Sequence, residues 1–241
     1  MKRTAKQWLS AHPELWLSIG YGLFYLVAFF SLEQLSLDYH IIHCPLDDFI
    51  PFNEWFIIPY CIWYAWIPVV LVYLLCKDTA DYLRLCFIMF GGMTLCLAFY
   101  LIWPSAVELR QALPRDNILC QVVALLRKAD TSTNVLPSIH VSSTVAIAVV
   151  LMKHRALQHK TVLKAAILVY SVLVCLSTVF LQQHSVLDGI AGAGLSFALS
   201  FPAYHPVFLR LPLIRHWNLK ATQAKMYPSQ AILSQFLTES V

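Results

Sequence analysis

Charge is scarce in this chain. Asp, Glu, Lys and Arg together make up 12% of 241 residues, against 59% hydrophobic and a mean hydropathy of +0.65. A soluble domain carries about a quarter charged residues, so the composition is that of an integral membrane protein. The length suits one compact bundle rather than several domains. Paired cysteines are missing as well: Cys44, Cys61, Cys76, Cys86, Cys96, Cys120 and Cys175 form no CxxC, and most lie inside apolar runs. That argues against a disulfide framework and against a structural zinc site. The chain has no P-loop, no GxGxxG, no internal repeat and no low-complexity segment. No small-residue cleavage pattern follows the first apolar run, which therefore reads as a retained span rather than a signal peptide.

What is present is a series of long apolar runs. Those able to cross about 30 Å of hydrocarbon are roughly 15–32, 55–76, 83–103, 138–152, 162–182 and 185–208. The fourth is short, and the last two are joined by almost nothing, so they form a tight antiparallel hairpin. Within the long 104–137 connection, Ile118-Leu119, Val122-Val123 and Leu125-Leu126 recur at helical spacing, which predicts an amphipathic helix lying in the interface. The expected fold is all-α: a six-transmembrane-helix bundle over 1–208, with that interfacial helix between spans three and four. Residues 209–241 form a cytoplasmic tail without catalytic signal.

Basic residues set the orientation. Thirteen of the 17 Lys and Arg lie in the N-terminal segment (Lys2, Arg3, Lys6), the 77–84 and 153–164 turns and the tail; the other four, Arg110, Arg115, Arg127 and Lys128, lie in the 104–137 connection. Both termini are then cytoplasmic, and the mouths holding His140 and His184 face outward. Arg127 and Lys128 are expected to snorkel towards headgroups. Arg110 and Arg115, near the end of span three, are placed to meet a bound phosphate. The acidic 33–54 loop reads first as a solvated outer loop and second as a rim in which 46–52 packs over the site.

Two stretches carry chemistry. In Gln183-His184-Ser-Val-Leu-Asp188, His184 and Asp188 lie four residues apart and share a helix face. Asp188 stands at the edge of a long apolar run, where an ionisable group is expensive and reads as functional. A carboxylate on one ring nitrogen fixes the tautomer and raises the basicity of the other, which suits a nucleophilic histidine. In Pro137-Ser138-Ile139-His140, Pro137 is placed to begin a helix whose first-turn N–H groups, Ser138 among them, bind phosphate. His140 beside them is able to protonate a leaving oxygen.

The order Pro-Ser-x-His, then about forty residues on a His-x-x-x-Asp at a span mouth, with six spans, resembles the type 2 phosphatidic acid phosphatase superfamily over roughly residues 100–200. Leu46-Asp-Asp-x-Ile-Pro-Phe and Ser-Thr-x5-His are similar to its bacterial members related to the inositol phosphorylceramide synthases. The resemblance implies a nucleophile at His184, its partner at Asp188, an acid at His140 and a phosphate-binding serine at Ser138. Ile139 stands where the phosphatases have Gly, and Thr178 where they have a phosphate-clamping Arg. Trp103-Pro104 through Arg110 sits in place of their Lys-x6-Arg-Pro.

The expected function is a membrane-embedded phosphatase or phosphotransferase, acting on a lipid phosphate or phosphodiester at the outer leaflet of a bacterial plasma membrane through a phosphohistidine. Membrane lipids are the expected partners; no cofactor, metal or nucleic acid is required. Two other readings stand beside it. One is a non-catalytic lipid-binding or transport protein on the same fold. The other is a metal-dependent hydrolase with His140, His184 and Asp188 as ligands.

Overall fold

The computed structural model describes residue 12 and residues 14–35, 38–212 and 214–219. The basic N-terminal cluster and most of the tail lie outside the described residues. Seven helices carry the fold: α1 (Leu15–Glu33), α2 (Ile57–Lys77), α3 (Thr79–Ile102), α4 (Ile118–Ala129), α5 (Ile139–Lys153), α6 (Thr161–Phe180) and α7 (Val186–Tyr204). Five of them, α1, α2 with its leading turn from Glu54, α3, α6 and α7, are long and apolar enough to cross a membrane. The protein is an integral membrane protein.

The expected fourth span corresponds to α5, which has 15 residues. At 1.5 Å per residue it reaches only about 22 Å, short of the ~30 Å of hydrocarbon. Its surroundings explain why that length suffices. Ile139, Val141, Ala146, Ile147, Val150 and Leu151 are all buried, so α5 is sheathed by protein and need not reach both headgroup layers. Among the described residues, five membrane-length helices thus stand with a shorter apolar one, the short fourth run, packed among them.

Small residues set how closely α3, α5 and α7 approach, the usual device where helices pack within lipid. A Cβ at Gly192 would collide with the Ser138 carbonyl, and one at Gly92 would come within 2.9 Å of Ser142 Oγ. Ser142 and Ser196 hydroxyls meet at 2.9 Å across the same crossing, and Ser196 Oγ donates to Ser142 O at 2.6 Å. Gly194 has nothing near it and plays no part in this seam.

At the end where α1 and α3 finish, the chain is tied by a feature the all-α reading does not contain. A short parallel ladder joins β1 (His40–Ile41) to β2 (Ser105–Ala106), with His40 opposite Ser105. It fastens the loop after α1 to the connection after α3. Helix α4 is amphipathic as expected: Asn117 caps it, Cys120 and Val123 are buried, and Ile118 and Leu125 stay exposed.

Candidate functional site

His140 is set by the start of α5. Ser138 is the N-cap, its hydroxyl accepting the Val141 N–H at 3.4 Å. Its own N–H donates to the Asp188 carbonyl at 3.0 Å, and the residue is fully buried. The expectation that this N–H binds phosphate is therefore corrected. The helix begins at Ile139, two residues later than Pro137 implied, and the donor is spent joining α5 to α7. The His140 ring packs 4.3 Å from the Trp63 ring and 4.7 Å from the Tyr60 ring, centroid to centroid.

His184 hangs on the tight connection between α6 and α7. The N–H groups of Gln183 and His184 both donate to Thr178 O, at 2.9 and 3.1 Å. Gln182 takes φ 59°, a left-handed conformation uncommon for a residue with a side chain. Four outside groups hold the turn there. Gln111 N–H reaches Gln182 Oε1 at 3.0 Å, Arg127 Nη2 reaches Leu181 O at 3.3 Å, Arg110 Nη2 binds Gln183 Oε1, and Asn53 N–H donates to Phe180 O at 3.0 Å. Thr178, where the resemblance called for a clamping arginine, is buried, and its carbonyl closes the turn instead.

Asp188 stands in the first turn of α7, where its carboxylate also gains from the helix dipole. It completes a capping box with Ser185, Oδ2 accepting the Ser185 N–H at 2.9 Å. The same oxygen lies 3.4 Å from His184 Nδ1. On the other side of that ring, His184 Nε2 lies 3.4 Å from His140 Nδ1. Both separations are longer than an ordinary N–H···O bond, as catalytic contacts often are without substrate. His184 Nδ1, Asp188 Oδ1 and His140 Nε2 are buried without hydrogen-bond partners. The three residues thus come together with capacity unspent. They do not converge as a metal site: Asp188 and His140 face opposite nitrogens of one imidazole, so no single ion takes all three.

The two candidate phosphate arginines separate. Arg115 pairs with Glu54 at 2.5 Å and lines neither cavity at the mouth, so the structure does not bring it to the histidines. Arg110 lies beside His184, its guanidinium donating to Asp130 O and Thr131 O, each at 2.7 Å, and to Arg127 O at 3.2 Å. These partners are neutral, and among the described residues no carboxylate forms an ion pair with it. Its Nε is buried and unpartnered. Burial lowers its pKa from the usual value. Arg127 does not snorkel: it donates to Gln111 O at 2.7 Å and covers the Phe52 ring.

Asp47 belongs to the 46–52 stretch, whose second reading is a rim packed over the site, and the sequence assigns it no role of its own. It is buried, and its carboxylate accepts from Ser185 Oγ at 2.6 Å, Val186 N–H at 2.9 Å and Cys44 N–H at 2.8 Å. The loop is a clamp on the start of α7, one residue past His184. The run of acids, proline and aromatics was the signal, and it carries no information about which helix it meets.

Two cavities open at this end. One, of about 720 Å³, is walled by α1, α2 and α3 and runs from His140, His184 and Asp130 inward to Ser18 and Leu71. The other, of about 270 Å³, is polar and lined by Asp48, Glu108, Arg110, Gln182 and His184 among others. His184 stands in both walls.

A family model described as PAP2 superfamily matches residues 89–211, just over half of the chain, from the middle of α3 to beyond α7. No curated protein and no solved structure matches.

Proposed function

This chain belongs to the PAP2 superfamily, and from that premise we propose that it is a membrane-embedded lipid phosphatase or phosphotransferase working through a phosphohistidine on His184. The observation that carries this reading is the order Asp188, His184, His140, set nitrogen by nitrogen on the wall between an apolar and a polar cavity. Asp188 holds the proton on Nδ1, leaving the Nε2 lone pair free to attack phosphorus. His140 protonates the departing alkoxide and later takes the proton of the water or alcohol that resolves the intermediate. Arg110 and the turn N–H groups supply positive potential where the phosphoryl oxygens gather.

The apolar cavity supports a lipid leaving group. Its wall runs along α1 from Phe30 to Ser18, a depth of about 18 Å at helical rise, enough to sheathe a long hydrocarbon chain. The basic turns at Lys77–Arg84 and Lys153–Lys164 lie at the far end of the bundle, which supports an active site on the outer face of the plasma membrane. Thr178 at the clamp position favours one rival, a protein that binds lipid without turnover. The two separate on a trapping experiment. Protein incubated with a ³²P-labelled lipid and quenched in alkaline detergent should carry acid-labile, base-stable label, absent from His184→Ala. Lipid binding without any label would end the enzymatic reading.

A further inference from the structure

A histidine that gives up a proton must first carry one, and a buried positive charge is costly without compensation. His184 has Asp188 beside it. His140 has no such partner among the described residues. Its Nδ1 faces His184 Nε2, its Nε2 is buried without a hydrogen bond, and no carboxylate pairs with the ring. What surrounds it is aromatic. The Trp63 and Tyr60 rings stand at 4.3 and 4.7 Å, tilted by 45° and 34°, and the Tyr64 ring lies nearly perpendicular at 6.5 Å. Trp63 is held in place by its Nε1, which donates to Ser143 Oγ at 3.2 Å. A cation within about 6 Å of such a ring centre is drawn to its negative face, most strongly where water is excluded.

One of these rings has a carboxylate behind it. The Tyr60 hydroxyl donates to Asp130 Oδ2 at 2.7 Å, and Tyr60 is fully buried. Asp130 is anchored through its backbone, its N–H donating to Leu126 O at 2.8 Å and its carbonyl accepting from Arg110 at 2.7 Å. It lines the same apolar cavity as His140, and among the described residues it enters no ion pair. A phenol that donates to a carboxylate has a more electron-rich ring, because the shared proton leaves charge on its oxygen.

We propose that Asp130 and Tyr60 are positioning residues for the acid step: Asp130, acting through the Tyr60 ring, keeps the proton on His140 until the departing alkoxide takes it. The steps balance. The His184 Nε2–P bond forms as the P–O bond to the lipid alcohol breaks, and the alkoxide takes the His140 proton. The water or alcohol O–H that resolves the intermediate returns its proton to His140 as the N–P bond breaks. Asp130 and Tyr60 end as they began.

Other titratable groups face His140 as well. His184 and Asp188 do so from the start of α7, Tyr60 and Tyr64 from α2, and Tyr100 from α3, its hydroxyl donating to Pro137 O at 2.6 Å. The 104–137 connection adds Asp130 and, with the opposite sign, Arg110. Asp130→Asn changes the charge of Asp130 alone, and the amide oxygen can still accept the Tyr60 hydroxyl. Tyr60→Phe breaks the same link from the other side and keeps the ring.

The proposal rests on the phosphohistidine reading, and one experiment separates their failures. Full-length protein in nanodiscs is given ³²P-labelled phosphatidate or a polyprenyl phosphate and quenched in alkaline detergent, and the rate of label on His184 is followed across the neutral pH range. A less stabilised imidazolium gives up its proton at lower pH. Asp130→Asn and Tyr60→Phe should therefore each move the alkaline limb down by about 0.5–1 unit. Above that limb each should slow labelling by about three- to tenfold, the size of one weakened cation–π contact. Nitrophenol release from a nitrophenyl phosphate, whose leaving group needs no proton, should change by less than about twofold. A limb that stays in place or rises overturns the proposal, as does an equal loss with both leaving groups; Asp130 would then only fasten the end of α4 to α2. Wild-type protein that takes no label from either lipid overturns the phosphohistidine reading itself, and the proposal with it.

Discussion

Among the described residues there are two buried histidine–aspartate pairs, one at each end of the bundle, and they are built differently. At the end away from the two cavities His154 Nδ1 meets Asp81 Oδ2 at 2.8 Å, while Arg84 takes Asp81 Oδ1 at 2.7 Å. Lys153 and Arg84 close the region over the Tyr204 ring, at 4.0 and 5.1 Å. Neither His154 nor Asp81 lines the two cavities at the outer mouth. At the end that holds the two cavities the pair sits at 3.4 Å, one carboxylate oxygen has no partner, and the other side of the imidazole meets a second histidine at 3.4 Å beside both cavities. The first pair spends its carboxylate on holding α3 to the end of α5. The second keeps capacity in reserve for a ligand. Residue type and pairing are shared, so what distinguishes a site from a fastening is unspent hydrogen-bonding beside a cavity.

Asp78, Asp81 and His154 also place ligand-type atoms within 4.8 Å of one another. Both Asp81 oxygens are already engaged, one by a guanidinium, which a bound cation would have to displace.

The sharpest way to break this comparison is to delete a histidine from each pair. His184→Ala should reduce turnover by more than about 10⁴-fold, since the nucleophile has no substitute, with the helical circular dichroism unchanged. His154→Ala should keep activity within about twofold yet lose about 1–3 kcal/mol of stability, by leaving a buried carboxylate oxygen unsatisfied, seen as a lower thermal midpoint in detergent. Equal activity losses in the two variants would erase the distinction.

Next in size is His140→Gln, expected to lower kcat by about 10²–10⁴-fold. The loss should shrink for a substrate whose leaving group needs no protonation, such as a nitrophenyl ester; a constant loss would leave His140 as packing for Trp63. Asp47→Ala removes three accepted hydrogen bonds at the start of α7 and should destabilise by about 1–2 kcal/mol, as losing a helix cap does. It should also slow turnover about tenfold by letting His184 drift. Turnover unchanged at a lowered thermal midpoint would make it a strut alone.

The smallest effect belongs to the exposed pair at the rim. A hydrogen bond donated to the Asp48 carboxylate raises the His43 pKa above its ordinary 6.5. The folded protein therefore keeps that proton to higher pH. The small stabilisation is fully present below the unfolded value and disappears as pH rises through the folded one. Asp48→Asn should move the His43 titration, followed by NMR, down towards 6.5.

Much of this was legible along the chain. Scarce charge and long apolar runs mark α1, α2, α3, α6 and α7 within a few residues, because a helix in lipid must satisfy its backbone internally and be apolar throughout. The spacing from His184 to Asp188 is a helix period, and Pro-Ser-x-His announces a helix start. The short α5 was visible as a short run, but its sheathing by neighbours was not. Ser138, Arg115 and Arg127 were misplaced for one reason. Each side chain or N–H found a partner far off in sequence, Asp188, Glu54 and Gln111 respectively, and composition does not say who meets whom.

What the sequence by itself determined is the local physics: which segments are apolar enough to be helices in a membrane, and which ionisable groups stand at their ends. Tertiary structure alone decided that His140 and His184, forty-four residues apart, bring their ring nitrogens to 3.4 Å, and that Asp47, from a loop more than a hundred residues upstream, secures the helix that follows His184. Periodicity acts over a few residues through the backbone. These contacts depend on three helices closing over Gly92 and Gly192, a global packing solution that no single stretch contains.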